Sequence, residues 1–104
     1  MTTFDEREEG FEKKFVLDEE LKFKAEARRN RLLGLWAAEK LGIAGDAAIA
    51  YAREVVAADF EPTGVLPKVL KDLTAKGAAV SEGDVSAKMA ELMAVAVAQV
   101  KAGT

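Results

Sequence analysis

The sequence DEELKFKAEARRNRLLGLWAAEKLG, residues 18–42, predicts one long helix. Three acids at its start lie where the helix dipole favours negative charge, and Gly42 suits its C-terminal end. Its partly apolar face is expected to consist of Leu21, Ala25, Arg28, Leu32, Leu35 and Trp36. Gly34 lies in the helix interior, where glycine costs about 1 kcal/mol relative to alanine. We therefore interpret Gly34 as a place where a neighbouring helix approaches closely.

Two shorter helices are predicted next along the chain. The second helix runs from about Asp46 to Asp59, with Asp46 as its N-cap. Its expected inner face consists of Ile49, Ala52, Val56 and Phe60, with Ala48 and Val55 alongside. The third runs from about Pro67 to Lys76, because proline suits the first turn of a helix.

The fourth predicted helix is the most regularly amphipathic segment. Ser81 and Asp84 have the spacing of a capping box at its start. Its apolar positions are Val85, Met89, Leu92, Met93, Ala96 and Val100. No stretch alternates apolar and polar residues as a strand would. We predict an all-α fold, a compact four-helix bundle over residues 18–104, preceded by a flexible N-terminal arm over residues 1–17.

Composition excludes the common catalytic and metal chemistries. The 104-residue chain contains no histidine and no cysteine, so the commonest acid–base group, the thiolate nucleophile and the commonest metal ligands are missing. No glycine-rich phosphate loop precedes a helix. We expect a protein that is not an enzyme and has neither a metal site nor a required cofactor.

The leader, MTTFDEREEGFEKKFVLDEE (residues 1–20), holds eight acids and three bases, a formal charge of −5. Phe4, Phe11 and Phe15 stand seven and four residues apart, so they share one face of a helix. The leader has too few apolar groups to form a core of its own. This pattern predicts a segment that buries its aromatic side chains on a partner.

The segment after the leader is basic. Residues 22–31 carry five bases and one acid, and Arg28, Arg29 and Arg31 form a candidate site for a nucleotide phosphate, with weak ATP or ADP binding. Pairing with the acidic leader is the alternative role for these arginines. The net charge of −3 disfavours nucleic acid as a partner. No apolar stretch approaches the roughly 20 residues of a membrane span, so we expect no membrane insertion and a cytoplasmic location.

Residues 4–42 resemble the ATPase inhibitor zeta subunit of alphaproteobacterial ATP synthases. The most specific matching groups are Phe4-Asp5-Arg7-Glu8, Phe11-Glu12-Lys14-Phe15 and Arg28-Arg29-Asn30 followed by Leu33-Gly34 and Trp36-Ala37-Ala38. The similarity continues through the remaining predicted helices and covers nearly the whole chain.

The resemblance implies a protein inhibitor of the catalytic head of F-type ATP synthase. In that family the arm inserts as a helix between a catalytic and a noncatalytic subunit of the head and reaches the central rotor shaft, which blocks ATP hydrolysis; the implied partners are the alpha, beta and gamma subunits. The location would then be cytoplasmic and peripheral to the inner membrane. The implied partner-binding residues are Phe4, Asp5, Arg7, Glu8, Phe11, Glu12, Lys14 and Phe15. The alternative is a nucleotide-sensing helical regulatory or adaptor module without a direct inhibitory role.

Overall fold

The computed structural model describes residues 19–103, which form four α-helices and no strand. The helices are α1 (Glu19–Leu41), α2 (Gly45–Ala58), α3 (Val65–Ala75) and α4 (Glu82–Lys101). The predicted all-α class and four-helix bundle are confirmed for this part of the chain. The predicted arm, residues 1–17, lies outside the described residues. Among the described helices, none combines the length and apolarity that crossing a bilayer requires.

Helix starts differ in detail from the predictions. α2 begins at Gly45, so Asp46 lies in its first turn, and Ala44 occupies the cap position without a side-chain hydrogen bond. α3 begins after Gly64 and two residues before Pro67. Proline is tolerated there because the N–H groups of a first turn have no acceptor within the helix.

The predicted capping box of α4 is present. The backbone N–H of Asp84 donates to Ser81 Oγ (3.1 Å), and the backbone N–H of Ser81 donates to Asp84 Oδ2 (2.9 Å). These two bonds satisfy donors that would otherwise lack partners at a helix start.

The backbones of α1 and α2 approach each other closely at Gly34. A Cβ atom added to Gly34 would lie 2.6 Å from Ala52 Cα and 3.3 Å from Val55 Cβ. The predicted role of Gly34 is therefore confirmed, because only a residue without a side chain permits this backbone contact. α1 also packs along α4, so it lies between two neighbours.

The buried faces of α1 and α2 differ from those predicted. The buried residues are Ala25, Asn30, Leu33, Gly34, Ala37 and Ala38 on α1, and Tyr51, Ala52, Val55 and Ala58 on α2. The predicted positions Leu32, Leu35 and Trp36 are half-buried instead, while Ile49 and Phe60 are exposed. The reason is the Gly34 contact, which places the small residues at the helix interface and turns larger neighbours to its edges.

A polar cluster links α2 to α3 beside the core. Tyr51 Oη donates to Asp72 Oδ2 (2.8 Å), and Lys68 Nζ lies 3.1 Å from the same oxygen and 3.4 Å from Glu54 Oε1. Burial, and then the hydrogen bond to Asp72, raise the pKa of Tyr51 above its ordinary range. Burial alone would lower the pKa of Lys68, but the hydrogen bonds and negative charges of Asp72 and Glu54 outweigh it and raise that pKa.

We predict that Gly34→Ala destabilises the bundle. Overpacking at a close contact costs about 1–3 kcal/mol, which exceeds the gain of at most about 1 kcal/mol from alanine's better helix propensity. Gly83→Ala is the matched control, because a Cβ there would meet only Ser81 Oγ, at an ordinary 3.6 Å. Thermal or urea unfolding followed by circular dichroism should show a loss for Gly34→Ala and none for Gly83→Ala. Equal stability of the two variants would contradict the close contact.

We predict that Tyr51 ionises at a higher pH in the folded chain than in the unfolded chain, where the ordinary pKa is 10.0. Above that pH the unfolded state releases the proton and the folded state keeps it, so the free energy of unfolding falls as pH rises. The raised pKa of Lys68 acts in the same direction. Tyr51 is the chain's one tyrosine, so tyrosinate absorbance in buffer and in denaturant measures both states.

The variant Tyr51→Phe tests the same hydrogen bond. It should cost about 1 kcal/mol at neutral pH and reduce the loss of stability at alkaline pH. Identical titration of the tyrosine in buffer and in denaturant would contradict the cluster.

Candidate partner-binding surface

The sequence-predicted partner-binding residues precede α1. Phe4, Asp5, Arg7, Glu8, Phe11, Glu12, Lys14 and Phe15 all lie outside the described residues. The described surface closest to them along the chain is the beginning of α1, where the C-terminal ends of α2 and α4 also meet it.

An exposed apolar surface lies at this end of the bundle. Phe23 of α1 is 60% exposed and Phe60, just after α2, is 73% exposed. Half-buried Val56 lies with them around one shallow cavity of about 140 Å³. We call Phe23, Val56 and Phe60 the aromatic patch. Large apolar side chains gathered on a surface are typical of contact sites for other molecules.

Asn30 lines the same cavity and is 1% exposed. Its Oδ1 accepts a hydrogen bond from Arg29 Nε at 3.0 Å. Its Nδ2 has no hydrogen-bond partner among the described residues. A buried donor without an acceptor is rare in folded proteins because it loses its bonds to water and gains none in return. Asn30 is therefore a buried polar side chain beside the cavity whose amide group has hydrogen-bonding capacity left over.

Two acids also line this cavity. Glu26 comes from α1 and Asp59 from the end of α2. Neither forms an ion pair among those seen in the described part of the chain. The cavity thus combines aromatic side chains, an amide donor and negative charge at its edge.

A larger cleft, of about 650 Å³, adjoins the patch along α1. Lys24, Arg28 and Arg31 line it, together with apolar residues that include Phe23 and Val100. Arg28 Nη1 also donates to Gln99 Oε1 on α4 at 3.4 Å. The structure therefore brings together two of the three predicted phosphate-binding arginines. Arg29, whose guanidinium bonds Asn30, does not line this cleft.

The described residues contain no assembled metal site. Within residues 19–103, no group of three or more acidic, histidine or cysteine side chains is placed to hold a metal ion.

The Tyr51 hydroxyl has a structural role. Its pKa is raised above the ordinary range by burial and by the hydrogen bond that it donates to Asp72. This hydrogen bond joins α2 to α3 and stabilises their packing.

The sequence pattern does not indicate the aromatic patch or Asn30. The helical spacing of Ile49, Val56 and Phe60 predicts a core position for Phe60, whereas the structure leaves it exposed. A signal was nevertheless present for Phe23. Its neighbours three and four residues away include Glu19, Glu20 and Glu26, and these positions share its face of the helix. Nothing in the pattern marked Asn30 as buried.

Comparison with known proteins agrees with the helical architecture. A family model described as ATPase inhibitor subunit zeta matches residues 1–99. The chain is also similar to a protein of known solution NMR structure, with 55% sequence identity and a TM-score of 0.69. That similarity covers 81% of this chain and 99% of the other. None of the curated proteins compared with the chain matches it.

Proposed function

The chain belongs to the ATPase inhibitor subunit zeta family, and from this premise we propose that it inhibits ATP hydrolysis by the catalytic head of an F-type ATP synthase. Residues 1–17 are the inhibitory element. They insert as a helix between the alpha and beta subunits and reach the rotor subunit gamma, which stops rotation in the hydrolysis direction. The protein is a regulatory subunit rather than an enzyme, and it lies at the membrane periphery only through its partner.

The aromatic spacing of the leader is the observation that supports this proposal most. A helix over residues 2–18 would be about 25 Å long at 1.5 Å per residue, sufficient to enter a cleft between subunits. Phe4, Phe11 and Phe15 would lie along one side of that helix. Asp5, Arg7, Glu8, Glu12 and Lys14 would provide polar contacts that set its register.

The bundle supplies a separately packed support for that element. The core cluster around Leu33, Val55, Val69, Leu73 and Val85 is built from side chains of all four described helices. Because α1 begins at Glu19, two residues after the proposed inhibitory element (residues 1–17), a bundle held against the head would fix where the inserted helix starts. The leader needs contacts from the partner to become ordered, since three phenylalanines return less free energy than the backbone loses on ordering.

We predict that the double variant Phe11→Ala, Phe15→Ala loses most of its inhibition of ATP hydrolysis by the cognate head. Its free energy of unfolding should stay within about 0.5 kcal/mol of that of the parent chain, as is usual for substitutions away from a core, so its melting temperature should be nearly unchanged. The matched control is Glu6→Ala, Lys13→Ala, which keeps the net charge and changes the opposite side of the same helix. Deletion of residues 1–18 should abolish inhibition.

Equal inhibition by the full chain and by the deleted chain would overturn the leader as the effector. A large fall in the melting temperature of the double variant would instead place the two rings in the bundle's core.

A second candidate function is nucleotide sensing, favoured by the cleft that Lys24, Arg28 and Arg31 line beside Phe23. Cationic side chains next to an aromatic ring can bind phosphate and base together. On this alternative, adding ATP or ADP shifts backbone amide NMR signals of residues 24–31, and Arg28→Ala, Arg31→Ala removes the shifts. Shifts confined to exposed lysines elsewhere, such as Lys76, would reject the site.

A further inference from the structure

We propose that the aromatic patch and Asn30 form a second docking site for the ATPase head, separate from the leader. The occupant is an apolar side chain of the head that lies beside a main-chain carbonyl, with a basic residue at its edge. This inference rests on the proposed function and assigns part of its partner contact to the bundle.

The exposure of the patch is the first support. Phe23 and Phe60 are the two most exposed large apolar side chains in residues 19–103. Phe23 lies on α1 and Phe60 in the turn after α2, and both line the same cavity, so they form one surface rather than scattered single residues. A partner that covers both rings removes their apolar area from water, which favours association.

Asn30 gives the site a polar requirement. Its Nδ2 is buried and lacks an acceptor among the described residues, while its Oδ1 is already occupied by Arg29. The cavity therefore has a hydrogen-bond donor to offer and favours an occupant that carries an acceptor. A main-chain carbonyl meets this need because it is neutral and lies next to an apolar side chain in any protein segment.

The acids around the cavity select the occupant's charge. Glu26 and Asp59 repel an anionic acceptor and attract a basic neighbour. The chain's own leader, with a formal charge of −5, is therefore disfavoured at this patch. A second copy is also disfavoured, because a self-complementary contact would bring these two acids against their own equivalents.

The position of the patch fits simultaneous contact by the leader. Phe23 lies four residues after Glu19, where α1 begins, which is about 6 Å along a helix. When the leader enters a cleft of the head, Phe23 comes to the mouth of that cleft. The patch then meets the surface that surrounds the insertion point.

The test uses full-length variants in the same hydrolysis assay. Phe23→Ser, Phe60→Ser should raise the concentration for half-maximal inhibition about tenfold or more, since buried aromatic residues dominate interface energies. Maximal inhibition at saturation should be unchanged because the leader is intact. The matched control is Ile49→Ser, Val95→Ser, which removes two exposed apolar side chains that do not line the cavity. It should inhibit like the parent chain.

A charge variant gives an independent reading. Glu26→Gln, Asp59→Asn should also raise the concentration needed for half-maximal inhibition. Added salt should then reduce inhibition less steeply than it does for the parent chain. If Phe23→Ser, Phe60→Ser lowers the melting temperature, the charge variant tests the second docking site in its place.

Three results would overturn the second site. The first is that both patch variants inhibit like the control. The second is that Phe11→Ala, Phe15→Ala shifts the amide signals of Phe23 and Phe60 in the isolated chain, which would show that the leader occupies the patch. The third is a dimer in sedimentation that Phe23→Ser, Phe60→Ser dissociates. Failure of the proposed function would appear differently: the parent chain would not inhibit ATP hydrolysis at all, or the leader variants would inhibit as fully as the parent chain.

Discussion

The contact of α1 and α2 at Gly34 determines much of the bundle's surface as well as its core. Because Ala52 Cα lies where a Gly34 side chain would stand, the two helices meet with small residues between them. Leu33, Val55 and Tyr51 then become buried beside the contact. Val56 is turned only partly inward, and Phe60 lies beyond the packed length of α2. The aromatic patch is therefore a consequence of how closely these helices approach.

Helix number and most helix ends could be predicted because they depend on local chemistry. Glycines with positive φ end α1 and α3, and the Ser81–Asp84 capping box starts α4. The orientation of each helix about its own axis could not be predicted equally well. Periodicity favoured the largest apolar side chains as the inner face, whereas an alanine-rich interface is set by the smallest ones. Consecutive side chains on a helix point in directions about 100° apart. A rotation of the predicted inner face by one residue therefore puts Val56 in the place that Val55 occupies in the structure.

The candidate site was predictable only where it depends on spacing. Arg28 and Arg31 stand three residues apart and share a face, so they meet in one cleft, while Arg29 projects elsewhere and bonds Asn30. The burial of Asn30 depends on how α2 covers α1, which no pattern in α1 alone contains. Polar residues are usually exposed, and Asn30 departs from this because it sits one turn from the Gly34 contact.

Two contacts with one partner would act together on the proposed function. The leader and the patch both combine aromatic side chains with negative charge. They lie on separate segments of the chain, so they would contact separate places on the head. Binding of one raises the effective concentration of the other, provided that the connection matches the spacing of the two surfaces. The described part of the connection is one helical turn, from Glu19 to Phe23. A partner that presents the two surfaces close together therefore gains most from the combination, and this requirement adds specificity to the proposed contact.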